Sequence, residues 1–185
     1  MAHTYVALLR GINVGKAKRV AMADLRAVME SLGYGEVRTL LASGNVVFTA
    51  QRALARSAAS TMQEALVAWT GVSSRFIVFP AGELDAIVQA NPLSGRIADP
   101  SRGFVTFARE GASLAPLQPM LRQGWGRDAL ALGARVAYTW CPDGQLQSPL
   151  MEAIGKAMRD DITVRNWGTT TKLSALANEG RRVGG

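Results

Sequence analysis

The chain is short of the residues on which much protein chemistry depends. It holds one histidine, His3, and one cysteine, Cys141. A single cysteine excludes an intrachain disulfide and agrees with a reducing compartment. With His3 so near the start, Ser–His–Asp and Cys–His arrangements have no base at hand. Cys141 has no CxxC partner, so no metal site is expected. No apolar run approaches the roughly 18–20 residues that cross a bilayer. The start of the chain lacks the charged and long apolar segments of a signal peptide. These absences lead us to expect a cytoplasmic protein with no membrane partner, and nothing demands an enzyme.

What is present suits a folded protein. Of 185 residues, 48% are apolar and 19% charged, enough to bury a substantial core and too apolar for a disordered chain. The net charge is +7, and the basic excess is shared evenly by the two halves of the chain. A nucleic-acid footprint would instead concentrate it in a stripe or patch.

Element order reads twice as strand, helix, strand, turn, strand, helix, strand. In the first pass, strands are expected at 5–10, 36–41, 46–49 and 75–79, with helices at 22–32 and 54–69. A short helix follows at 83–90, then a Pro-, Gly- and Ser-rich linker. In the second pass, strands fall at 104–108, 129–132, 135–140 and 162–165. Helices fall at 114–122, weakened by Pro116 and Pro119, and at 150–158. A last helix spans 169–178. The expected fold is α+β: two consecutive ferredoxin-like βαββαβ units, antiparallel sheets with helices on one face, and an extra C-terminal helix. The expected divisions are 1–90, a linker at 91–101, a second unit at 102–179 and a basic tail at 180–185.

In such a unit the first two strands run parallel, because a helix crosses between them. The loop after the first strand and the hairpin after the second must then share one end of the sheet. The loop carries Arg10, Gly11, Asn13, Gly15, Lys16, Lys18 and Arg19; the hairpin carries Ser43, Gly44 and Asn45. Glycines allow backbone N–H groups to turn toward an anion, and a helix start follows. The spacing from Gly11 to Gly15 and Lys16 is one residue short of a P-loop. Ala17 also stands where Ser or Thr would hold magnesium, so ATPase chemistry is rejected.

A second polar group, Arg165, Asn166, Trp167, Thr169 and Lys172, joins the last strand to the last helix. Its threonines are expected to cap that helix, with Lys172 in the first turn. Residues 102–107 imitate an RNA-recognition octamer but depart at Val105 and Thr106, and read as an ordinary strand. Asp160 and Asp161 are adjacent on an expected strand and would point to opposite faces.

These motifs together resemble a bacterial family of unknown function, DUF1697. The resemblance rests on residues 9–15 (LRGINVG), 22–25, 43–48 (SGNVVF) and 165–173 (RNWxTxTKL) and runs over essentially the whole chain. It implies duplicated ferredoxin-like halves and no established activity. Three positions depart from the family's usual pattern: Lys16 for a second glycine, Ala21 for proline and Gly168 for asparagine.

The leading expectation is a binding module for a phosphate-bearing or other anionic small ligand. The expected contacts are Arg10, Gly11, Asn13, Gly15, Lys16, Ser43 and Asn45, with Arg165, Asn166, Trp167, Thr169 and Lys172 as a second set. Three alternatives stand beside it: nucleic-acid binding through a basic face, an enzyme using Asp160, Asp161 or Lys172, and structural homo-oligomerisation. The sequence leaves any cofactor unknown.

Overall fold

The computed structural model describes residues 2–182, with side chains described through Glu179. Its first sheet comprises β1 (His3–Leu9), β2 (Gly35–Thr39), β3 (Asn45–Ala50) and β4 (Phe76–Pro80), in the spatial order β2-β3-β1-β4. All pairs are antiparallel. Helices α1 (Met22–Ser31) and α2 (Ala58–Thr70) connect them, and α3 (Ala81–Gln89) follows directly. The second sheet comprises β5 (Gly103–Ala108), β6 (Ala129–Leu132), β7 (Val136–Trp140) and β8 (Ile162–Asn166), in the order β6-β7-β5-β8. Helices α4 (Pro149–Met158) and α5 (Trp167–Arg182) complete the chain. The protein is therefore α+β, with two four-stranded antiparallel sheets and a C-terminal helix.

The central strand of the first sheet shows why its sequence is a continuous apolar run. Tyr5, Ala7 and Leu9 face one side and pack with Leu25, Val28 and Met29 of α1 and Met62 and Leu66 of α2. Val6 and Leu8 face the other side and are equally buried. A strand covered on both faces loses the usual polar alternation. Each large side chain so buried, Phe48 or Met62 for instance, contributes roughly 1.5–3 kcal/mol. In the second sheet all six residues of β5 are buried. Phe104 and Ala108 pack with Leu117 and with Leu150 and Ile154 of α4.

Local chemistry sets the ends of the helices. After α1, Gly33 takes a φ of 83°. Its N–H donates to Glu30 O while Tyr34 N–H donates to Met29 O, the paired bonds of a Schellman ending. The segment Ala115–Arg122 is a 3₁₀ helix rather than an α-helix, because Pro119 removes an interior donor. Helix α2 begins four residues later than expected; Leu54 stays outside it and donates its N–H to Tyr5 Oη. Helix α5 begins two residues earlier and runs through Arg182, so part of the expected tail is helical. Residues 183–185 lie outside the described residues.

The described residues form two compact units, 2–84 with 173–182 and 85–172. Within the first, Arg38 pairs in register with Val47 and so emerges on the face opposite α1 and α2. There it donates to Leu176 O at 2.9 Å and meets Glu179 at 3.4 Å. The later half of α5 thus covers part of that face, with Leu173 and Ala177 buried.

Gly44 and Gly71 both hold positive φ, at 80° and 71°. A Cβ on Gly44 would lie 2.7 Å from Leu9 Cβ and 2.8 Å from Ile12 Cδ1, whereas one on Gly71 meets nothing within 4 Å. We predict that Gly71→Ala costs about 1–2 kcal/mol through its backbone alone. Gly44→Ala should cost roughly 2–5 kcal/mol, because overpacking adds to the same penalty. Urea denaturation of both variants measures the difference; equal losses would show that Leu9 and Ile12 give way.

Candidate functional site

The loop 10–21 and the hairpin 40–44 meet at one end of the first sheet, and Asn13 is the junction. Its Nδ2 donates to Val20 O at 2.8 Å and to Ala42 O at 2.7 Å, and its Oδ1 accepts from Val20 N–H at 2.9 Å. Asn13 has a φ of 56°, a left-handed conformation that asparagine tolerates better than most residues. The start of β4 reaches the same end, where Arg10 N–H donates to Arg75 O and Ser74 Oγ donates to Arg10 O. Gly44 O accepts from Leu9 N–H at 2.8 Å. Asn45 is buried, and its amide donates to Leu40 O and to Ser43 Oγ.

Both asparagines expected to touch a ligand make hydrogen bonds within the chain, Asn13 to the backbone and Asn45 to Leu40 O and Ser43 Oγ. Of the loop residues singled out from the sequence, Gly11, Gly15, Lys16, Lys18 and Arg19 are exposed. Arg10 is half-buried and Ser43 exposed. No acidic residue occurs within 10–21, 40–45 or 72–75. Among the described residues no ion pair or side-chain hydrogen bond engages Lys16, Lys18 or Arg19. Gly11 and Gly15 hold φ of 64° and 61°, so glycine meets a backbone requirement at both.

The second group lies in the other unit for its whole length, 165–172. Arg165 is only 7% exposed, and its guanidinium donates to Thr163 Oγ1 and Val164 O, both at 2.8 Å. Burial lowers its pKa to about 10, so it stays charged at neutral pH. Because the folded value lies below the unfolded one, that burial opposes folding at neutral pH and relaxes only as pH rises through about 10. The cap of α5 is Asn166, whose Oδ1 accepts from Thr169 N–H at 2.7 Å. The threonines do not take that role: Thr170 and Thr171 donate back to Asn166 O and Trp167 O, the local bond threonine makes inside a helix. With Asn166 as cap, exposed Lys172 is the sixth helical residue and lies beyond the first turn. Trp167 is half-buried and Thr169 buried.

The other sequence features resolve similarly. Asp160 and Asp161 lie in the 3₁₀ turn Arg159–Asp161 rather than on a strand, and Asp161 meets Arg109 Nε at 2.5 Å. Phe104 and Phe107 are buried in β5, which removes them as stacking platforms. Among the described residues no cluster of three His, Cys, Asp or Glu could hold a metal. None of their helices is long and apolar enough to cross a membrane. Recesses occur elsewhere: about 450 Å³ beside Pro119 and Arg122, and about 360 Å³ beside Tyr34, Arg52 and Leu54. Neither is lined by a candidate binding residue singled out above. Sequence reasoning missed two features of the rim, the exposed side chains of Val14 and Leu41. An apolar letter in a loop carries no signal of whether it faces in or out.

Residues 2–138 match the sequence profile of a protein family of unknown function, DUF1697. The chain belongs to this family. The matched span includes the loop and the hairpin and ends before the 165–172 group. No curated protein matches the chain. A solved structure of a conserved bacterial protein from Streptococcus pneumoniae is similar, with 22% identity and a TM-score of 0.76. The match covers 96% of this chain and 99% of that one, and it shows a shared fold.

Cys141 is buried, and its Sγ lies 3.4 Å from Ser148 Oγ. Ser148 in turn donates to Asp128 at 2.6 Å and accepts from Met151 N–H as the cap of α4. Burial pushes the thiol pKa up, leaving the protonated, unreactive form. We predict no reaction with Ellman's reagent at pH 8 until urea unfolds the chain. Reaction at a free-thiol rate in the native state would refute this placement. Asn13→Ala should cost about 2 kcal/mol, since three hydrogen bonds are lost at roughly 0.5–1.5 kcal/mol each with water as partial replacement. It should also speed amide exchange through residues 11–20 while leaving β5–β8 protected, which exchange NMR measures.

Proposed function

We propose that this DUF1697 member is a cytoplasmic binding module, a duplicated ferredoxin-like scaffold whose first sheet presents an anion-holding rim. The shared strand order of the two sheets supports the duplication. The rim reading rests on one observation: a loop pinned from within by Asn13 leaves Lys16, Lys18 and Arg19 exposed and, among the described residues, without counter-ions. Fixing the backbone beforehand reduces the ordering cost of binding. Glycine conformations at 11 and 15 suit backbone donors turned toward an anion. A phosphate-bearing small molecule fits this set, with Arg10, Gly11, Gly15, Lys16 and Ser43 around it and Lys18 and Arg19 adding charge. Asn13 and Asn45 then shape the site without touching the ligand. The 165–172 group is kept as a second set, of which Asn166, Trp167 and Lys172 keep some exposure.

Titration with pyrophosphate, followed by amide NMR and thermal melting, tests the reading. The expected result is a raised melting temperature, with shifts concentrated in residues 10–19 and 43. Replacing Lys16, Lys18 and Arg19 together with alanine should weaken the response at least about ten-fold, as lost charge-assisted bonds imply. No stabilisation by pyrophosphate, or an unchanged response in the triple variant, would remove the proposal. Tight binding of mixed-sequence RNA with a steep fall in salt would favour the nucleic-acid alternative instead.

A further inference from the structure

Two apolar side chains project from the rim just described. Val14 is 70% and Leu41 57% exposed. Each is the chain neighbour of a residue in the Asn13–Ala42 hydrogen bond, which places them on adjoining loops beside Lys16, Lys18 and Arg19. Leu41 holds a φ of 59°, a backbone conformation unfavourable for a leucine, and that conformation accompanies its outward position.

We propose that this rim docks on the surface of an anionic lipid bilayer. Lipid phosphates meet Lys16, Lys18 and Arg19, while Val14 and Leu41 enter the boundary between headgroups and acyl chains. The inference rests on the anion-binding reading above and names the bilayer as the source of the phosphate. Charge complementarity carries the choice of occupant: the two loops hold cations and no acidic residue. Basic residues with apolar neighbours are the combination that binds a membrane surface without spanning it. Two isolated side chains are too little apolar surface for a stable protein partner, which needs roughly 800 Å² on each side. Neither loop contains an aromatic residue on which nucleic-acid bases could stack. The sequence expectation of no membrane partner rested on the missing spanning run, which a peripheral contact does not require.

The test is co-sedimentation of the full chain with vesicles of mixed phosphatidylcholine and phosphatidylglycerol, against vesicles of phosphatidylcholine alone. The chain should sediment with the mixed vesicles only. Each basic residue should contribute about five-fold to partitioning. The neutral double variant Val14→Asn with Leu41→Asn should lose at least that much vesicle binding yet keep the NMR response to pyrophosphate. Both sites are exposed, and asparagine tolerates the left-handed backbone at 41, so its melting temperature should hold. Lys16→Glu with Lys18→Glu should lose both responses. A pyrophosphate response without vesicle binding overturns this inference and spares the anion-binding reading; loss of both in the unaltered chain overturns both. Unchanged vesicle binding in the double asparagine variant also overturns it. So does tighter retention on polyuridylate than on the mixed vesicles at equal ionic strength, which would assign the rim to nucleic acid.

Discussion

Burial of the central strands on both faces is the constraint from which the rest of this protein follows. β1 and β5 each lie in the middle of a four-stranded antiparallel sheet, and the side chains of residues 5–9 of β1 and of all of β5 are buried whichever way they point. A strand so enclosed has little freedom of register, since a slip by one residue would exchange two filled sets of side chains. The loops that leave such strands start from fixed points. The turn after β1 therefore begins at a defined place beside the hairpin after β2 and the start of β4.

That fixed origin gives the asparagine junction its role. Asn13 closes the loop on Val20 and crosses to Ala42, while Asn45 closes the hairpin on Leu40 and Ser43. Gly44 lets Leu9 and Ile12 approach where any side chain would collide. Two polar residues that look like ligand contacts, Asn13 and Asn45, are engaged in hydrogen bonds within the chain. Exposed charge then falls to Lys16, Lys18 and Arg19, and exposed apolar surface to Val14 and Leu41. Chemistry at this rim, if it is lipid or free phosphate that arrives, depends on residues that make few contacts within the fold.

Much of the architecture was legible because its signals are local. The apolar run at 5–9, the three- and four-residue spacing of Leu25, Val28 and Met29, and the glycines after both early helices each have a direct physical meaning. Parallel direction of the first two strands, inferred from a helix crossing between them, correctly put the loop and hairpin at one end. Helix bounds were less legible. Pro119 turned an expected α-helix into 3₁₀ geometry. Asn166 rather than a threonine capped the last helix, which moved Lys172 out of the first turn. Both outcomes depend on competition between neighbouring donors and acceptors, and composition alone does not rank them.

The order of letters was sufficient for the α+β class, the repeated strand–helix order and the meeting of two glycine-bearing loops, because periodicity, turn residues and crossover geometry act over short stretches. Folding in three dimensions decided which polar side chains point inward. Asn13, Asn45 and Arg165 became internal hydrogen-bond donors, and Lys16, Val14 and Leu41 stayed outside. The reason is that exposure of a side chain depends on what packs around it from distant parts of the chain, and no local pattern carries that information.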